Sequence, residues 1–182
     1  SAFIYRDKPE DSPPPATVLL GNRAKDGVDI KLALSLLWAA GGSGEDPEEP
    51  GLLHSTRFVD RDWAELLGLD KPDSAGKRRI AAARQRLADA RLIDLERRPG
   101  EATRIVLLRE DASGAPYSSP GEPLAGGRAE GKYHQLKAEF WTNGWMAGLS
   151  VRAVITLLTL IHMTNTGKPG DLAFVSPRFR HD

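Results

Sequence analysis

Cysteine is absent from the 182 residues, which excludes a disulfide framework, a thiolate metal site and a thiol nucleophile. A surplus of either charge is absent as well, because 25 Lys and Arg balance 25 Asp and Glu. Any attraction for a polyanion must therefore come from the way charge is distributed. No apolar run approaches the roughly 18 residues that a membrane span needs. The opening SAFIYRDKPEDSPPP has no apolar centre of the signal-peptide kind. The expectation is a cytoplasmic protein with no membrane partner.

Motifs that carry chemistry are missing too. DSAGKRR offers Gly76 and Lys77, but a phosphate-binding loop needs glycine where Lys71 stands and a hydroxyl where Arg78 stands. GGSGED lacks the GxGxxG spacing, and its acidic flank repels a pyrophosphate. His54, His134, His162 and His181 lie far apart, with no HExxH among them. Ser43, Ser55 and Ser118 have no nucleophile-elbow context. Glu45, Asp46, Glu48 and Glu49 crowd into one stretch that reads as a solvated loop. A protein without catalysis, metal or cofactor is expected.

What the chain does have is a local excess of arginine. Residues 1–73 hold eight basic side chains against fourteen acidic, residues 74–104 nine against four, and residues 105–182 eight against seven. The excess centres on GKRRIAAARQR, Gly76 to Arg86. Its plainest reading is a solvated helix face, since arginine is a good helix former. Its neighbours point further.

The Pro-rich opening, with Pro9 and Pro13 to Pro15, predicts an extended or mobile stretch, or an arm packed onto something else, that is not part of the core. DIKLALSLLWAA places Ile30, Leu32, Ala33, Leu36, Leu37 and Ala40 at helical spacing and ends at Gly41 and Gly42. An acidic loop follows, and then HSTRFVDRDWAELLGL reads as an extended piece leading into a second helix. Asp60 is its expected cap, Trp63, Leu66 and Leu67 its inner face, and Gly68 its end. A third helix is expected from about Ser74 to Ala90, capped by Asp73 or Ser74. With Ile80 at the centre of its inner face, Ala83, Leu87 and Ala90 fall beside it. Arg78, Ala82 and Gln85 point away, flanked by Arg79 and Arg86. LIDLERRPGEATRIVLL then predicts a hairpin, with strands over Leu92–Glu96 and Thr103–Leu108 and a turn at Pro99 and Gly100.

Helix, helix, helix, hairpin is the order of a winged helix-turn-helix domain, and residues 27–110 resemble that family. RRIAAARQRLADARLIDLERRPG in particular is similar to a recognition helix running into its wing. The resemblance implies double-stranded DNA as partner. The third helix enters the major groove, where Arg78 or Arg79 pairs with guanine and Gln85 with adenine. Lys77 and Arg86 hold phosphates, and Arg97 and Arg98 at the wing tip reach the backbone or the minor groove. Such readers often pair on two-fold sites, so a homodimer belongs to the expectation. A winged-helix module that binds protein instead is the alternative.

DASGAPYSSPGEPLAGGRAEGK, rich in Gly and Pro, breaks the pattern. Beyond it the chain partly repeats itself. LSLLWAA at Leu34 is similar to ITLLTLI at Ile155, and Arg57 and Phe58 match Arg178 and Phe179 at the same offset. KYHQLKAEFWTNGWMAGLSVRAVITLLTLI resembles the opening of winged-helix domains in plasmid replication initiators of the RepA and DnaD kind, with Leu149 and Ser150 at the helix start. The family usually has Pro where Lys137 stands. That likeness implies replication initiation on a plasmid or mobile element, with transcriptional regulation as the other use. Trp38 and Trp63 are expected in the core. Trp141 and Trp145 are expected to pack between units in preference to stacking on bases.

The expected architecture is mainly α with small β-hairpin wings, an α+β tandem of winged helix-turn-helix units. It comprises an extended arm over 1–26, a winged-helix domain over 27–111, a linker over 112–131 and an incomplete second winged-helix-like domain over 132–182.

Overall fold

The structure is a computed structural model that describes residues 3, 13–21, 27–42, 52–53, 59–97, 103–117 and 136–166. It is α+β, with helices around a small antiparallel sheet.

A helix that is apolar on every side must be covered on every side, and the second helix of the chain obeys this rule. We number the helices α1 (Pro15–Gly21) and α2 (Val28–Gly42). In α2, Val28, Ile30, Leu32, Ala33 and Leu36 are all buried. Part of the cover comes from the N-terminus, where the expectation of an arm outside the core is corrected. Pro15 opens α1, Ala16 and Leu19 are buried with Phe3 in the same core, and the Ala16 N–H donates to the Phe3 carbonyl at 3.0 Å. The physical reason is that proline suits the first helical turn, where its missing N–H costs nothing and its fixed φ already fits.

Two further helices follow, α3 (Asp60–Leu66) and α4 (Lys77–Asp89). Trp63 and Leu67 are buried, Leu66 is partly buried and Gly68 ends the helix at φ +64°, as the sequence predicts, and Ala64 joins the inner face. The expected caps move. Val59 is the N-cap of α3, and its N–H donates to the Asp62 carboxylate at 3.2 Å, while Asp60 is already helical. A single π-type turn, Pro72–Gly76, leads directly into α4, so neither Asp73 nor Ser74 caps it; Lys71, at φ +49°, stands before the turn. Gly76 has a steric reason to be glycine, because a Cβ there would meet the Ala64 Cβ at 2.9 Å. Without that side chain the start of α4 lies close against α3.

The hairpin is present as β2 (Ile93–Glu96) and β3 (Arg104–Leu107). A strand that the sequence pattern does not announce, β1 (Leu52–Leu53), pairs with the other edge of β3, giving the antiparallel order β1-β3-β2. Period-two alternation places the pairs Ile93 with Leu107 and Leu95 with Ile105 on the core side, and Asp94 with Val106 and Glu96 with Arg104 on the other. After β3 the chain folds back. Leu108 bridges to Pro116, and Asp111 accepts from the Ser113 N–H at 2.9 Å and from Arg109 Nε at 3.1 Å. Partial burial pushes the Asp111 carboxyl up, but these bonds outweigh it and hold the group below its ordinary value.

Residues 136–166 complete the cover of α2. They form α5 (Glu139–Thr142), α6 (Trp145–Gly148) and α7 (Val151–Thr166). Ser150 caps α7 as expected, its Oγ accepting the Ala153 N–H at 3.2 Å. Trp141 is buried and stacks on Trp38, ring centroids 4.8 Å apart and 6° from parallel. Its indole N–H donates to Ser35 Oγ at 2.9 Å, and Lys31 Nζ donates to the Ala147 carbonyl at 3.1 Å. Gly27, at φ +61°, lies where an added Cβ would collide with the Val151 side chain. Gly27→Ala is therefore expected to lower stability by about 1–3 kcal/mol through strain and displacement of α7, to be read in thermal unfolding. An unchanged Tm would contradict this close approach.

Candidate functional site

The residues singled out in GKRRIAAARQR divide between two sides of α4. A helix turns about 100° per residue, so Ile80, Ala83 and Leu87 share one stripe, and all three are buried against α2 and α3. The opposite stripe carries Arg78, Ala81, Ala82 and Gln85, all exposed, while Lys77, also exposed, stands at the start of the helix on the flank of Arg84. Two alanines in the middle of the stripe leave the helix backbone open to close approach. Arg79 is half-buried on the flank of this stripe. Gln85 Nε2 donates to Asp89 Oδ1 at 3.0 Å one turn further on, which occupies the amide in the free protein.

Arg86 does not belong to this surface, and the expectation that it holds a phosphate is corrected. Its Nε donates to Asp29 Oδ2 at 2.7 Å and its Nη2 to Asp29 Oδ1 at 2.5 Å, a bidentate pair with a carboxylate only 1% exposed. A carboxylate buried that deeply requires such a partner. Asp29 is the legible signal: the one acid in a largely apolar helix calls for a cation on the element packed against it.

Arg84, which no sequence motif singles out, has a similar task on the other flank. Its Nη2 donates to Asp60 Oδ2 at 3.0 Å, with both side chains about one-fifth exposed at 19% and 21%. Burial raises the Asp60 carboxyl above its usual 3.8, and the charges of Arg84 and Lys77 pull it only part of the way back. A raised carboxyl means that the folded chain holds this proton more tightly than the unfolded one. Its contribution to stability is thus fully present below the unfolded pKa near 3.8 and is lost as pH rises through the folded value. The Asp60 carboxyl should titrate by NMR above 3.8, and Arg84→Met should move that midpoint higher still; a midpoint at or below 3.8 would contradict the burial.

The hairpin brings one further candidate. Arg97 follows β2 and is exposed, whereas Arg98, Pro99 and Gly100 lie outside the described residues. Arg104 is engaged with Glu96 at 3.7 Å and Arg109 with Asp111, so the nearby basic residues of the sheet are paired. Acidic charge at the end of α3 is balanced by Arg61, 3.0 Å from Glu65 and 3.1 Å from Asp73.

Of the two tryptophans considered for stacking, Trp141 is in the core and Trp145 is 56% exposed. His162 lies in α7; His54, His134 and His181 lie outside the described residues, as do Ser43, Ser55, Ser118 and the acidic stretch 45–49. Among the described residues no group of three His, Asp or Glu side chains could hold a metal ion, and no helix is long and apolar enough to cross a membrane. No family model, curated protein or solved structure matches the chain.

Proposed function

We propose that the chain binds double-stranded DNA in a sequence-specific way through α4, as a winged helix-turn-helix unit running from α2 to β3. The observation that carries the reading is the outward stripe of α4, where Arg78 and Gln85 flank two exposed alanines, with Lys77 exposed at the start of the helix and Arg97 of the hairpin in the same unit. The strand order β1-β3-β2, with the first strand between the first two helices of the unit, also supports it. A helix with small residues along its exposed face fits the major groove, where a guanidinium forks onto guanine and an amide onto adenine. Arg78 takes the guanine role, with Arg79 beside it. Gln85 takes the adenine role on leaving Asp89, and Lys77 neutralises a phosphate at the start of the helix. Arg97 and Arg98 follow the backbone or enter the minor groove. The unit acts without catalysis, metal or cofactor.

On the same reading α7 is the counterpart of α2 in a second unit, and the protein serves replication initiation on a plasmid or mobile element, or transcriptional regulation. The near cancellation of charge implies local contact with little long-range steering. Fluorescence anisotropy across a salt series tests the proposal, using a duplex selected from a random pool and an unselected one. Selective binding that weakens steeply with salt supports it, and equal weak binding to both refutes sequence reading.

One observation favours a second reading, a winged-helix module that docks on protein. Trp145 is an exposed tryptophan of the kind that anchors interfaces. Duplex binding unaffected by α4 changes and abolished by Trp145→Ala would select that reading.

A further inference from the structure

Arg84 and Arg86 are two residues apart, which on a helix separates them by about 200°. They leave α4 on opposite flanks of its buried stripe. Arg84 reaches α3 through Asp60, and Arg86 reaches α2 through Asp29. The stripe between them is Ile80, Ala83 and Leu87. Ala83 at its centre gives no bulky ridge, and apolar contact is non-directional. Hydrogen-bonded ion pairs are directional, and a two-pronged guanidinium on a carboxylate is the most directional of them.

We propose that Arg84 and Arg86 are positioning residues, a bracket that fixes the rotation of α4 about its own axis and so aims Arg78 and Gln85 outward. Arg86 is the principal member because its partner is fully buried and its contact is bidentate. Its fork holds both angle and distance, whereas Arg84 makes one bond to Asp60 and leaves its buried Nε without a hydrogen-bond partner. The anchor of the fork is itself held. Asp29 lies in the first turn of α2, and α2 is fixed to residues 136–150 through Lys31, Ser35 and the Trp38–Trp141 stack. All three buried polar side chains among the described residues, Asp29, Lys31 and Ser35, are on α2, and each ties it to a different element: α4, α6 and α5. The aim of α4 is in this way referred to the frame built around α2.

The consequence for DNA selectivity rests on the function proposed above; the mechanical role of the bracket does not. Both parts can be measured on the full chain. Because it has no cysteine, spin labels attach only where a cysteine is introduced, at Ala82→Cys on α4 and Asn143→Cys between α5 and α6. Pulsed electron–electron distance measurement in the otherwise wild-type protein should give one narrow distribution. Three changes are compared with it. Arg86→Lys keeps the charge and loses the fork, Asp29→Leu/Arg86→Met removes the pair without stranding a buried charge, and Asp60→Leu/Arg84→Met does the same on the other flank. In folded protein the first two should widen the distribution to about twice its original width, and the third should widen it less. The ratio of affinities for selected and unselected duplex should fall about tenfold with Arg86→Lys, while binding to the unselected duplex stays nearly unchanged.

Distributions as narrow as wild type in folded Arg86→Lys and in the apolar pair would overturn the positioning role. A wild-type protein that shows no duplex preference would overturn the DNA reading instead, and the label distances would still decide the bracket. Broad distributions with intact selectivity would show that the rotation of α4 does not set readout and would overturn that half of the proposal.

Discussion

Lys77→Glu/Arg78→Glu is expected to weaken binding to the selected duplex by about a hundredfold or more, since it removes one base-reading fork and one phosphate partner and puts repulsion in their place. Arg78 is exposed on the outward stripe of α4 and Lys77 is exposed at its start, within reach of the Asp60 charge, and changes at exposed positions alter stability little. The variant should therefore unfold within a few degrees of the wild type. Its salt dependence should also be shallower, by about one unit of slope for each phosphate that is no longer neutralised. Gel shift and anisotropy at three or more salt concentrations, with thermal unfolding alongside, would check all three effects. Unchanged affinity in a folded variant removes α4 as the reading element.

Arg86→Ala should behave in the opposite manner, with stability as the primary loss. Removing the guanidinium strands the Asp29 carboxylate, 1% exposed, in the core. Breaking a buried pair by deleting one partner costs about 3–5 kcal/mol. Arg86 itself is 33% exposed, which lets water reach the gap and places the expectation near the lower end, about 3 kcal/mol. For a chain of this length that corresponds to a fall in Tm of roughly 6–12 °C. Asp29→Leu/Arg86→Met should recover most of the loss, because no buried charge is left without a partner. A Tm within one or two degrees of wild type for Arg86→Ala would show that the pair is not needed by the fold. Together the two variants assign different work to Arg78 and Arg86, which share one helix and one charge and differ in what each guanidinium faces.

That contrast also shows how far the sequence can be read. The apolar period of Ile80, Ala83 and Leu87 places the inner side of α4 correctly, since burial follows the helical repeat, and the same rule puts Arg78, Ala82 and Gln85 outside. The apolar residues around Ile93 and Ile105 mark the hairpin within a residue or two. Flanking residues are harder. A position at the edge of a stripe faces solvent or a neighbouring helix according to how that neighbour lies, and Arg86 turns to Asp29 for a reason 57 residues away in the chain. Two leucines at β1 make a strand only because β3 offers an edge to pair with. The proline-rich opening misleads for a related reason. Pro13 to Pro15 favour an extended chain by themselves, yet the following ATVLL supplies Ala16 and Leu19 to a core that the local sequence does not reveal. Trp141 packs, as expected, and does so by stacking on Trp38 of α2. Trp145, four residues on, lies across a left-handed Gly144 at φ +74° and faces solvent, so the helical spacing expected of the pair is broken between them.

The most direct test of the central claim is an amide chemical-shift map of the protein titrated with the selected duplex. Perturbations should concentrate on Lys77 to Gln85 and on Arg97, leaving the amides of α7 and of the segment around Trp145 largely unmoved. Perturbations confined to α5, α6 and α7, or none at saturating duplex, would contradict the assignment of α4 as the surface that meets DNA.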